Sequence, residues 1–161
     1  MVRKGFTIVE LLIVIVVIGI LATLVIVGYK GAEQKAYDSS LQADLKDMGD
    51  QFDIFRTKSG ALDQYPKTTT DLATLELKAS KSAYITSIPA NAIVCVSSDG
   101  KSFAIVSQSK SGNIFMTTQN GFSAYTQAAS TFTASGTCPA LGLNYVTSGW
   151  SSGAWSSWLG G

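Results

Sequence analysis

The N-terminal part of the chain is an almost unbroken run of apolar residues. Residues 11–27 contain nothing more polar than Thr23, and residues 6–9 extend the apolar block towards the N-terminus. Glu10 is the charged exception within it. Because about 20 apolar residues span a bilayer as a helix, the pattern predicts a transmembrane helix over residues 6–27.

From Tyr29 the pattern becomes amphipathic. Aromatic and aliphatic side chains then recur every three or four residues, which traces one face of a helix. The face comprises Tyr37, Leu41, Leu45, Met48, Phe52 and Phe55. The opposite face is polar, with Asp38, Asp44, Lys46, Asp47, Asp50 and Arg56. Ser59-Gly60 is a typical helix end, so residues 28–58 are predicted to continue the first helix, with the apolar face in the core.

Residues 59–121 are predicted to form a connection and then a small sheet. In the connection, residues 70–75 indicate a short helix capped by Thr70. The β-rich segments are residues 92–97, 102–107 and 114–118. Turn signals at Asp99-Gly100 and Ser111-Gly112-Asn113 separate them, as in an antiparallel meander. The predicted fold class is α+β, with a long N-terminal helix packed on an antiparallel sheet.

The C-terminal part of the chain is uncharged. No Asp, Glu, Lys or Arg occurs after Lys110, and residues 122–161 are rich in Ser, Gly and aromatic residues. We expect this region to form an irregular strand or loop system. Trp150, Trp155 and Trp158 are expected to be buried against the sheet or a neighbouring subunit, with an exposed adhesive surface as the alternative.

Composition argues against catalysis. The chain has no histidine and a formal net charge of +1, which removes the commonest general base and most zinc and iron sites. Asp44, Asp47, Asp50 and Asp53 are better explained as a solvated helix face than as a metal site. We find no catalytic motif or phosphate loop and expect neither enzymatic activity nor a cofactor. The scattered lysines give no direct nucleic-acid site.

Two cysteines, Cys95 and Cys138, lie far apart in the chain. In a protein that leaves the cytosol, this pattern predicts one disulfide. Two separate buried thiols are the alternative.

Glu10 decides between interpretations of the N-terminal segment. Arg3 and Lys4 precede the apolar block, so the N-terminus is predicted to be cytoplasmic. A cleaved secretory signal has a shorter apolar core, of about 7–15 residues. A simple signal anchor explains the length but not Glu10, because a carboxylate inside a membrane costs about 2.5–3.5 kcal/mol. We expect its partner to be a cation from outside the helix.

The heptapeptide KGFTIVE at residues 4–10, followed by the apolar run, resembles the N-terminus of the type IV pilin and pseudopilin family. The resemblance implies that a prepilin peptidase removes a cytoplasmic leader, residues 1–5, by cutting between Gly5 and Phe6. It also implies N-methylation of Phe6. In the assembled filament, the Phe6 ammonium of a neighbouring copy would pair with Glu10 and fix axial register.

The resemblance further implies other copies of the chain and a pilus assembly platform as partners. The protein would be a single-pass plasma-membrane protein before assembly and an extracellular filament afterwards. Many family members carry a proline near the membrane exit. This chain has none there, so any melting of the helix in the filament is expected near Gly19.

Three functions remain open from the sequence. The first is a structural subunit of a type IV pilus that serves attachment, motility or DNA uptake. The second is a pseudopilin of a type II secretion or competence system, and the third is a membrane-anchored binding domain, which the resemblance disfavours. Major secretion pseudopilins usually hold calcium with acidic side chains near the C-terminus. No acidic residue follows Asp99 here, which favours the pilus.

Overall fold

The computed structural model describes residues 5–58, 63–126 and 132–161. Its helices are α1 (Ile8–Lys58), α2 (Thr69–Ala73) and α3 (Ala134–Ala140), and a short 3-10 helix covers Lys81–Ala83. Its strands are β1 (Leu77–Lys78), β2 (Ala90–Val96), β3 (Phe103–Gln108), β4 (Ile114–Thr118), β5 (Gly121–Ala124), β6 (Asn144–Ser151), β7 (Ala154–Trp155) and β8 (Leu159–Gly160).

The chain divides into two compact units, Met1–Lys35 and Ala36–Gly161. The boundary falls within α1, which is one continuous helix from Ile8 to Lys58. The helix passes through Gly19 without a break, so melting there stays a prediction for the filament. The predicted stop at Ser59-Gly60 lies outside the described residues.

The second unit contains a six-stranded antiparallel sheet in the order β5-β4-β3-β2-β6-β7. A second, two-stranded sheet joins β1 to β8 in parallel. A long N-terminal helix on an antiparallel sheet confirms the predicted α+β class. The three predicted strands correspond to β2, β3 and β4.

The helical stripe forms the core on one face of the sheet. Leu41, Leu45, Met48 and Phe52 are completely buried, and Tyr37 is half-buried. They pack against inward-facing residues of β2 and β3 such as Val94. This arrangement confirms the stripe from Tyr37 to Phe52 as a core face, whereas its last predicted member, Phe55, is only half-buried and lies outside this core cluster.

The other face of the same sheet has its own core beneath α3. Ile93, Cys95 and Val106 pack there with Phe132 and Cys138. Both faces of β2 and β3 are therefore covered, which explains why every residue of these two strands is buried. Their near-continuous apolar sequences follow from this double burial.

Residues 122–161 contain an additional irregular strand, β6, as one form of the expectation allowed, but they also form α3, β7 and β8, which were not predicted. β6 pairs with β2 along most of its length. Its serines, threonine and glycine hide the strand signal. Gly149 is required by a close approach: a Cβ there would lie 2.5 Å from Leu159 Cδ2 and 2.8 Å from Ala92 Cβ.

The tryptophans of this region are buried to different degrees. Trp158 is buried in the core under α1, whereas Trp150 and Trp155 are half-buried. The latter two are cross-strand partners on β6 and β7 with ring centroids 5.5 Å apart. Trp155 also contacts Tyr84 edge-on at 5.6 Å.

The cap of α2 also differs from the prediction. Thr68, not Thr70, is the N-cap: its hydroxyl accepts a hydrogen bond from the Asp71 N–H at 3.1 Å. The Asp71 carboxylate accepts in return from the Thr68 N–H at 3.0 Å. The reciprocal pairing of a capping box selects Thr68 because only that position has an acidic residue three places later.

Candidate functional site

The apolar segment, residues 6–26, which comprises Phe6, Thr7 and the first part of α1, has no cover within the described chain. Its large apolar side chains have exposed fractions between 48% at Val17 and 86% at Phe6. By length and composition, α1 is able to cross a membrane, and it is the single such helix among the described residues. An apolar surface of this extent is not stable in water, so a membrane or other protein surfaces must cover it.

The start of α1 gives Glu10 a partner that the sequence analysis missed. One oxygen of its carboxylate accepts from the Thr7 N–H at 2.9 Å and from the Thr7 hydroxyl at 2.7 Å. The Thr7 hydroxyl accepts in turn from the Glu10 N–H at 3.3 Å. Thr7 lies before α1 and carries no charge, so the expected cationic partner from outside the helix stays a prediction.

This contact is a capping box, and the sequence contained its signal: a threonine, two residues, then a glutamate before an apolar run. The cap supplies hydrogen bonds and the positive end of the helix dipole, but it supplies no full positive charge. The carboxylate thus remains able to accept a cation.

The predicted processing residues lie just before the helix. Gly5 and Phe6 are both exposed, in non-helical backbone. A Cβ placed on Gly5 would meet nothing within 4 Å. The fold itself therefore does not demand glycine at this position, and any requirement for it must come from a partner that recognises the junction.

The two cysteines form the predicted disulfide. Cys95 on β2 and Cys138 on α3 are joined with their Cα atoms 5.4 Å apart, and both are completely buried. The bond fixes α3 to the second core, against the strand at the centre of the sheet.

The aspartates of α1 do not all lie on a solvated face, as the sequence had indicated. Asp44 accepts from the Ser80 N–H at 2.6 Å and from the Ser80 hydroxyl at 3.1 Å. Asp53 accepts from the Tyr65 hydroxyl at 2.8 Å. Asp47, Asp50 and Asp53 are all exposed as expected, and of these four aspartates only Asp44 is half-buried. The acidic residues thus bind separate parts of the domain to the helix.

Their surroundings shift several pKa values. Burial raises the pKa of Asp44 although Ser80 donates two hydrogen bonds to it, and the nearby Asp47 carboxylate adds to the increase. Burial and the Asp53 carboxylate raise the pKa of Tyr65 to about 12. Among the described residues, no three or more His, Cys, Asp or Glu side chains are grouped so that they could hold a metal ion.

Comparisons with known proteins identify the N-terminal segment as a known sequence motif. Residues 1–26 match the family described as the prokaryotic N-terminal methylation motif. The chain has a prepilin-type N-terminus and is homologous to a pseudopilin of the pilin family. Type II secretion system core protein G of Dickeya chrysanthemi is 32% identical over 76 residues, which are 47% of this chain and 48% of that protein.

Core protein G of Klebsiella pneumoniae is 32% identical over 73 residues, 45% of this chain and 50% of that protein. The Escherichia coli K12 protein gives 32% over 73 residues, 45% of this chain and 48% of that protein. The chain thus spans about half the length of these relatives. No solved structure is a significant match. These relatives favour the pseudopilin alternative over the pilus that the sequence analysis ranked first.

Proposed function

We propose that the chain is a pseudopilin, a structural subunit of a type II secretion system. It is not an enzyme: it is cut between Gly5 and Phe6, held in the plasma membrane by residues 6–26, and assembled through α1 into a filament. The similarity to core protein G, joined to the N-terminal methylation motif, is the observation that carries this proposal.

The exposed apolar segment supports two successive environments for the subunit, the membrane and then the filament. Before assembly the bilayer covers the exposed apolar side chains, and Arg3 and Lys4 keep the leader cytoplasmic. After assembly the α1 helices of other copies cover them instead. Each environment is apolar, so transfer from one to the other does not expose the segment to water.

In this proposal, Glu10 sets the axial position of each subunit relative to its neighbour in the filament. Its capping box with Thr7 satisfies hydrogen bonds but leaves the negative charge without a countercharge. The ammonium of Phe6 in a neighbouring copy supplies one, and a buried ion pair of this kind is tolerated only in one axial position. The pair therefore selects the position of the incoming subunit more than it stabilises the filament.

Two substitutions separate the cap from the charge. Glu10→Gln keeps a side chain suited to the capping box and removes the charge, whereas Glu10→Ala removes both. We expect both variants to insert and to be cut, and both to give few or no filaments. Asp50→Asn, which removes a charge from an exposed position of the same helix outside the apolar segment, is the control and should assemble normally. Normal filament yield from Glu10→Gln would disprove the ion pair.

A direct test follows the mature N-terminus. Filaments sheared from cells and analysed by mass spectrometry should contain this chain starting at N-methylated Phe6, with the Cys95–Cys138 bond intact. Gly5→Val is expected to leave the leader attached, and the structure gives this variant no steric reason to misfold. Filaments built from uncut chains would overturn the proposed processing.

A type IV pilus subunit remains the second candidate, because no acidic residue follows Asp99 for a C-terminal calcium site of the secretion type. Deletion of the gene separates the two. Loss of exoprotein secretion with normal surface pili supports the pseudopilin, whereas loss of pili with normal secretion supports the pilus.

A further inference from the structure

The turn between β3 and β4 holds the part of α1 that enters the globular unit. Asp38 accepts from the side-chain amide of Asn113 at 2.8 Å and from the hydroxyl of Ser111. The Lys110 ammonium lies 5.5 Å from the centroid of the Tyr37 ring. These contacts begin directly after the boundary between the two units, which falls between Lys35 and Ala36.

The half-buried Tyr37 already packs against the core, but full burial of α1 side chains starts about one turn later. Leu41 is the first of the described α1 side chains to be fully buried, whereas Tyr37 and Asp38 are half-buried and Ala36 is exposed. Partly exposed polar contacts contribute less free energy than a buried apolar side chain. Residues 36–40 therefore belong to the part of the domain that opens most easily.

We propose that Tyr37, Asp38, Lys110, Ser111 and Asn113 form a clasp that sets where α1 becomes independent of the globular domain. With the clasp closed, residues 36–40 move with the sheet. With the clasp open, the domain contacts α1 only from Leu41 onwards. The part of the helix that moves independently of the domain then includes residues 36–40 and is longer by about 7.5 Å, at 1.5 Å per residue.

The clasp opens without unfolding the domain because the buried stripe from Leu41 to Phe52 stays in place. The charge on Asp38 favours the closed state. Partial burial opposes ionisation of this carboxyl, but hydrogen bonds from Ser111, Ser109 and Asn113 outweigh it and lower the pKa. This inference concerns the domain itself and does not rest on the pseudopilin assignment.

Backbone 15N relaxation of the full chain in detergent micelles tests the clasp. The variant Ser111→Ala/Asn113→Ala leaves the sequence of α1 unchanged, so any change in α1 arises from the lost contacts. We expect residues 36–40 to lose the order parameters of the domain and take those of the preceding helix. We expect the boundary between the two sets of order parameters at residues 35/36 in the wild type and at 40/41 in the variant, while residues 42–52 keep their values.

Asn120→Ala, an exposed substitution in the turn between β4 and β5, is the matched control and should leave the boundary in place. Asn113→Ala alone is measured in parallel, so that the test does not depend on folding of the double variant. A boundary that stays at 35/36 in a folded variant would overturn the proposal. So would an equal loss of order across residues 42–52, because the turn would then support the whole helix rather than its entry.

Discussion

Removal of the Cys95–Cys138 bond should destabilise the globular unit strongly. The bond closes a loop with a sequence separation of 43, which in the chain-entropy relation corresponds to about 4 kcal/mol. Domains of ordinary stability unfold with about 5–15 kcal/mol. The double variant Cys95→Ala/Cys138→Ala is therefore expected to lose a large share of its stability, although its sheet remains complete.

The position of the disulfide bond predicts which part of the globular unit unfolds first. α3 meets the sheet through the second core, where Phe132 and Cys138 contact β2 and β3. The core under α1 contains neither cysteine. Without the bond, α3 should detach at lower denaturant concentration than the contacts between α1 and the sheet.

Urea unfolding of the full chain in a non-ionic detergent measures the effect. At a slope of about 1–3 kcal/mol/M, a loss of about 4 kcal/mol lowers the midpoint by about 1–4 M. Wild-type protein with a reductant should behave like the double variant, and the reductant should not affect that variant further. A midpoint that shifts by less than about 0.3 M would show that loop closure is not what the bond contributes.

Three further substitutions test the sheet and its helix by the same unfolding assay. The buried side-chain amide of Asn91 donates to the Gln108 carbonyl at 2.8 Å and accepts from the Gln108 N–H at 2.9 Å. Asn91→Ala removes both hydrogen bonds and should lower the free energy of unfolding by at least about 2 kcal/mol; an unchanged urea midpoint would contradict this. Gly149→Ala places a methyl group against Ala92 and should lower the free energy of unfolding by about 1–3 kcal/mol through overpacking. Gly31→Ala is the control, because a Cβ there meets nothing within 4 Å. Burial opposes ionisation of Asp38, but hydrogen bonds outweigh it and lower the pKa of this carboxyl in the folded state. The ionised carboxylate therefore stabilises the folded state above the ordinary carboxyl pKa of about 3.9, and this stabilisation is lost as the pH falls through the folded-state pKa. Asp38→Asn should therefore be less stable than wild type at pH 7, with a difference that shrinks at pH 3; a constant difference would count against it.

The parts of the fold that were predictable from sequence are those in which one physical effect dominates. The stripe from Leu41 to Phe52 is set by burial alone, and its spacing of three and four identifies a helix face without ambiguity. The strands β2 and β3 are apolar on both faces because a core lies on each side. Such patterns are visible in a single sequence.

The position of β6 beside β2 was not predictable, because it depends on a close approach that only the assembled sheet reveals. Gly149 weakens the strand signal, yet it is the residue that lets Leu159 and Ala92 meet there. Asp44 was misjudged for a related reason. A charged residue at helical spacing indicates a solvated face, and the hydrogen-bond donor of Asp44, Ser80, comes from a distant part of the chain.

Under the proposed function, cleavage and assembly are linked through a single nitrogen atom. While the leader is attached, the nitrogen of Phe6 belongs to a neutral peptide bond and offers Glu10 of another copy no charge. The capping box with Thr7 is then what keeps the Glu10 carboxylate hydrogen-bonded. Cleavage after Gly5 turns the same nitrogen into an amine that is protonated at neutral pH, and methylation leaves it able to carry that charge. An uncut chain therefore lacks the cation that assembly needs, so premature polymerisation is prevented by chemistry at the junction rather than by a change of fold.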